Sequence, residues 1–166
     1  DARRAVLADV GAPALFTRLV APEHLPARVL EDVRRFEYGS GTVKVDWALD
    51  GPIPWLDPEV NRAGTVHVSD SLDDLSDMTS QLTRGLLPAN PCLVMGQMTT
   101  ADPSRSPAGT EAAWAYAHVP REVKGDGGGE GLTGTWDEHE TERFVARMEQ
   151  RIERLAPGFG DRILAR

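Results

Sequence analysis

Apolar residues alternate with polar ones in two stretches of this chain and recur at helical spacing in several others. From Thr42 to Leu49, Val43, Val45, Trp47 and Leu49 fall on one face, and Lys44, Asp46 and Ala48 on the other. Gly39-Ser40-Gly41 opens this strand and Asp50-Gly51-Pro52 closes it. From Ala112 to Val119 the period is again two. Trp114, Tyr116 and His118 share one face; Ala113, Ala115, Ala117 and Val119 share the other. Thr65–Ser69 reads as a further strand, and Cys92–Met98 as a short apolar one buried on both faces.

Helical spacing governs the rest. Before residue 37, prolines punctuate three short helical stretches: Ala2–Val10, one from Pro13 through Val20, and one from Pro26 carrying Val29, Leu30, Val33 and Phe36. Ser71 reads as an N-cap with Asp74 three residues on, and Leu72, Leu75, Leu82 and Leu86 form that helix's apolar stripe. A last helix starts around Trp136–Glu140, with Phe144, Met148, Ile152 and Leu155 on its buried side. Thr99–Gly109 is expected to be a loop, with Asp102-Pro103-Ser104-Arg105 a turn capped by its Asp. Six glycines between residues 125 and 134 predict a mobile segment.

The order predicts an α+β fold, a mixed β-sheet of four or more strands covered by helices. A helix between the second and third strands favours a mixed sheet over a purely antiparallel one. The expected division is a helical segment over 1–36 and an α+β domain over 37–166, together one domain. With 166 residues the chain can bury about 70% of its unfolded surface, enough for a core without covalent staples.

Charge narrows the function classes. Eighteen Lys and Arg against 26 Asp and Glu give a net charge of −8, which argues against nucleic acid as the main partner. The lone cysteine, Cys92, allows no intrachain disulfide and sits in an apolar run where a buried structural thiol is expected. A reducing cytoplasm is the expected compartment. No apolar run reaches the length of a transmembrane segment. The start, Asp1-Ala2-Arg3-Arg4, has neither an initiator Met nor a signal-peptide core, so the chain is expected to be a fragment of a larger protein.

Few catalytic signatures are present. His24, His67, His118 and His139 form no zinc-ligand spacing, so no metal is expected. His67 and His118 lie on strands and can meet across the sheet. The chain contains no GxSxG elbow, no P-loop and no GxGxxG after a strand, so no residue here is expected to bind a cofactor's phosphates, and no catalytic residue is assigned. What stands out is an aromatic group on strand faces: Trp47, Trp55, Trp114 and Tyr116, with His118 or His67 as a polar anchor. It reads either as core or as the wall of an apolar pocket.

Several stretches resemble the phytoene dehydrogenase-like FAD-dependent oxidoreductases, relatives of carotenoid desaturases and isomerases and, more distantly, of flavin amine oxidases. They are Gly41-Thr42-Val43-Lys44-Val45-Asp46-Trp47 through Pro54-Trp55, Ala63-Gly64-Thr65-Val66-His67, Gly96-Gln97 followed by Asp102–Gly109, Trp114–Pro120, and Ile152–Phe159. They occur in the family's order and span residues 36–166. The resemblance implies a parent flavoprotein that transfers hydride from a hydrophobic substrate to FAD, with this chain as its inserted substrate-binding domain. On that reading FAD belongs to the FAD-binding domain of the same parent chain, and the isolated fragment is inactive. Trp47, Trp55, Trp114, Tyr116 and His118 are the substrate-binding candidates, with Gln97 and Arg105 behind them. An apolar surface, normally docked on the flavin domain, is expected. The alternative is a stand-alone small-molecule-binding or protein-interaction module without flavin.

Overall fold

The computed structural model describes residues 2–166, which divide into two compact units, 2–39 and 40–166.

The first unit is built of short turns of helix: α1 (Ala12–Ala14), running into a wider π turn at Leu15–Leu19, a 3-10 turn at Pro22–His24, and α2 (Ala27–Arg34). Pro13 and Pro22 sit in first turns, where the missing N–H costs nothing, and Pro26 caps α2. Residues 2–10 form no helix. The helical stretch expected at Ala2–Val10 is therefore corrected: nine residues ending at a glycine are too short to hold a helix without packing, and Val6 and Leu7 are exposed. No described residue of this unit is buried.

The second unit is α+β. Its elements are β1 (Gly41–Leu49), β2 (Thr65–Val68), α3 (Leu72–Thr83), β3 (Leu86–Leu87), β4 (Leu93–Gln97), α4 (Met98–Ala101), β5 (Glu111–Val119), β6 (Gly125–Asp126), α5 (Glu138–Leu155) and β7 (Ile163–Ala165). Five strands form a sheet in the order β2-β4-β5-β1-β7, antiparallel at every pairing; β3 and β6 form a parallel two-stranded ribbon. Val68 pairs with Leu93, so the excursion through α3 leaves and re-enters at the same end of the sheet. It joins antiparallel neighbours, and parallel pairing falls to the ribbon.

Alternation along β1 and β5 decides the layers. Val45, Trp47 and Leu49 lie opposite Ala115, Ala113 and Glu111, so these residues share one face. That face forms one core with Val68, Leu93 and Met95 of the neighbouring strands and with Phe144, Met148 and Ile152 of α5. Each such large apolar side chain contributes roughly 1.5–3 kcal/mol on burial. Glu111 is buried here too, its carboxylate accepting from the Thr99 and Thr100 N–H groups at 2.7 and 3.1 Å and so capping α4. Where a loop is expected over Thr99–Gly109, the chain holds this turn of helix and a 3-10 turn at Pro103–Arg105. Asp102 caps the latter by accepting from the Ser104 N–H, as expected. Ser71 likewise caps α3, accepting from the Asp74 N–H at 3.1 Å.

The glycine-rich segment 125–134 is fastened rather than loose. Asp126 accepts from the Gly128 and Glu130 N–H groups and pairs bidentately with Arg147 of α5, at 2.8 and 3.1 Å. Arg147 also donates to the Pro88 carbonyl at 2.8 Å. Glu140 accepts from Thr133, Gly134 and Thr135, and Asp137 caps α5 by accepting from the Glu140 N–H. Burial pushes the Asp126 carboxyl up, but the Arg147 guanidinium and the N–H donors outweigh it and hold it down at about 2. The Thr133 hydroxyl, with the neighbouring donors, holds Glu140 down at about 2 as well. Gly128 is required for contact: a Cβ there would run into the Arg147 guanidinium.

Candidate functional site

One face of the sheet is sealed by the core; the other carries the aromatic residues of β5. Because Trp114, Tyr116 and His118 alternate with the buried alanines, they project together from the open face. Trp114 and Tyr116 have parallel rings, 4° apart with centroids at 6.1 Å, and His118 meets Tyr116 edge-on at 5.6 Å. Pairing extends this line sideways. Trp114 lies between Asp46 and Gly96, and Tyr116 between Lys44 and Val94, with His67 beyond Val94 on β2.

Gly96 is the bed of the arrangement. Its missing side chain is the space taken by the Trp114 ring, and a Cβ there would fall inside the indole. The Trp114 indole N–H donates to Met98 Sδ at 3.0 Å, which fixes the ring's rotation. Lys44 pairs with Asp46 and holds its ammonium 5.9 Å from the Trp114 ring centre, a cation–π contact. Trp114 and Tyr116 are half-buried, whereas Thr42, Lys44, Asp46, His67 and His118 are exposed. The surface is thus two flat apolar plates, a neutralised ion pair at one side and an imidazole at the end. It can stack a planar or extended apolar molecule and keep water from one side of it.

The five substrate-binding candidates are distributed over three places. Trp114, Tyr116 and His118 stand together on the open face. Trp47 lies on the opposite face, packed edge-on against Phe159 at 5.4 Å, its indole donating to Glu149 at 2.9 Å. It also borders a cleft of about 330 Å³ with Arg105. Trp55 is buried, donates to Gln97 Oε1 at 2.8 Å and borders a separate cavity of about 170 Å³ with His67. His67 and His118 share the open face but stand on β2 and β5 with β4 between them, two strand spacings across and two residues along, about 12 Å apart.

Gln97 is a lock for the 53–64 loop. Its amide accepts from Trp55 and donates to the Val60 and Ala63 carbonyls at 2.9 and 2.7 Å, all inside the fold. Gln97→Met is expected to leave these partners unpaired and to cost about 2 kcal/mol, measured as a lower urea midpoint at unchanged slope. Cys92 is half-buried, its backbone N–H on Met78 Sδ at 3.3 Å; burial raises its thiol pKa against the pull of Arg151. It is not an activated nucleophile.

The alternating pattern of β5 is legible in the sequence and yields the aromatic line. The roles of Gly96, Met98 and Lys44 are not, although a glycine inside an apolar strand is a signal of close approach. Among the described residues no His, Cys, Asp and Glu cluster could hold a metal ion, and no helix is long and apolar enough to cross a membrane. The chain matches no protein-family model, and no curated protein matches it.

Proposed function

We propose that residues 40–166 are the substrate-binding domain of a FAD-dependent oxidoreductase of the phytoene dehydrogenase-like kind, a cytoplasmic enzyme acting on a hydrophobic substrate. The observation that supports this best is the one-sided sheet. Its inner face is filled, and its outer face carries Trp114, seated over Gly96, with its ring parallel to that of Tyr116. An antiparallel sheet normally turns a polar face to water, so a row of half-buried aromatics calls for a flat apolar occupant.

In this reading the FAD-binding domain of the same parent chain holds the cofactor, because these residues offer ring faces and no cradle for a pyrophosphate. The flavin, when bound, supplies the hydride acceptor. Trp114 and Tyr116 orient the substrate and exclude water from its outer side. His118 marks the polar end of the plates. The fragment alone has no redox centre and is inactive.

The test is visible absorbance of the parent protein, with the 166-residue chain as control. A flavin band in the parent and none in the fragment supports the assignment. A parent that stays colourless after FAD is added overturns it and leaves a small-molecule-binding or interaction module without flavin. In the flavin-loaded parent, Trp114→Ala is expected to raise KM for an apolar substrate about tenfold, the loss of one stacking contact. An unchanged KM would remove the aromatic line from the substrate site.

A further inference from the structure

On one side β1 pairs with β5 along its whole length, from Gly41 opposite Val119 to Leu49 opposite Glu111. On its other side only Ala48 and Leu49 are paired, with Ala165 and Ile163 of β7, across a local irregularity. Among the described residues no strand pairs with Gly41–Trp47 on that side. Seven residues of strand edge, next to a buried core, are a template that folded proteins cover or blunt.

We propose that the edge of β1 over residues 41–47 receives an added antiparallel strand that extends β7, formed by the polypeptide following Arg166 in the parent protein. This rests on the reading above, in which the domain is inserted and the chain returns to the flavin domain. Direction and register carry it. β7 runs antiparallel to β1, so past Ala165 the chain heads toward Gly41, and the residue after Ala165 falls opposite Trp47. Arg166 already behaves this way: it donates to Glu149 Oε1 of α5 at 2.8 Å, the oxygen that the Trp47 indole reaches at 2.9 Å. Both side chains lie on the α5 side.

Farther along the same edge is a cleft of about 450 Å³, walled by Gly41–Lys44, Arg121, Trp136 and Thr141. Trp136 holds a left-handed backbone, φ 53°, rare for a residue with a side chain, and its ring stands edge-on to Phe144 at 5.6 Å. An added strand places its third and fifth residues past Ala165 opposite Val45 and Val43, facing α5 and the cleft. Its second and fourth lie opposite Asp46 and Lys44, on the aromatic face. The strand therefore closes the edge and widens the plate surface by one column.

Amide hydrogen exchange on the unmodified parent protein tests this. Every amide from Thr42 to Trp47 is expected to be protected, at least a hundredfold over exposed loops. Protection of only every second amide, those bonded to β5, overturns the strand. Register is read separately by pairing Lys44→Cys with a cysteine at the third, fourth or fifth residue past Ala165. Crosslinking should peak at the fourth. Crosslinks indifferent to offset overturn the proposal, as does a covalent dimer, which would make a second copy the occupant. Full protection without flavin absorbance keeps the strand and sinks the oxidoreductase reading; flavin absorbance with half protection does the reverse.

Discussion

Arg147→Ala is expected to cost about 4 kcal/mol of folding stability. The Arg147 and Asp126 side chains are 4% and 2% exposed, and each satisfies the other in two hydrogen bonds. Removing the guanidinium strands a buried carboxylate, and breaking such a pair typically costs 3–5 kcal/mol. The Pro88 carbonyl loses its donor as well. Urea unfolding of Arg147→Ala against the parent chain measures this. The double variant Arg147→Met with Asp126→Leu should recover part of the loss, because it removes both charges together. If the single variant loses less than 1 kcal/mol, the network does not fasten the 125–134 segment.

The same pair sets a pH dependence. Asp126 is held at about 2 against an ordinary 3.8, so its ionised form favours the folded state. That contribution is complete above about pH 4 and is lost as the pH falls toward 2; it amounts to at most about 2 kcal/mol. Asp126→Asn should therefore be less stable at neutral pH and flatter between pH 4 and 2. Glu140 titrates in the same window and leaves a residual slope in both proteins. Identical slopes for the two proteins would contradict the assignment to Asp126.

Valine at position 96 is the second large effect, expected to cost about 3 kcal/mol and to abolish stacking on the open face. A Cβ at Gly96 meets three atoms of the Trp114 ring, and two further methyl groups leave the indole no place on the sheet. Trp114 would lose its bond to Met98 and its parallel arrangement with Tyr116. Near-ultraviolet circular dichroism reads the ring's displacement independently of stability. A variant with wild-type aromatic dichroism would show that Gly96 is not the bed of that ring.

Period-two patterns named the strands because side chains on a pleat must alternate, and β1 and β5 obey that rule for nine residues each. The separation of Trp114, Tyr116 and His118 from the alanines of β5 was readable for the same reason. Grouping Trp47 with them was not decidable from sequence, since the face it shares depends on a register fixed by atoms about 65 positions away. The 125–134 segment shows the same limit. Its glycines advertise freedom, but Arg147 and Glu140 restrain it from a helix that local composition cannot foresee. β3, β6 and β7 were invisible because two or three residues carry no period.

The alanines of β5 have one more consequence. Between Glu111 and Val119, which are buried at its two ends, Ala113, Ala115 and Ala117 contribute small volume to the interior, while the bulk of Trp114, Tyr116 and His118 points outward. Exchanging Trp114, Tyr116 or His118 for residues of other shapes alters no volume that the interior depends on. The strand thus separates the part of the molecule that must stay fixed from the part whose shape the interior does not dictate.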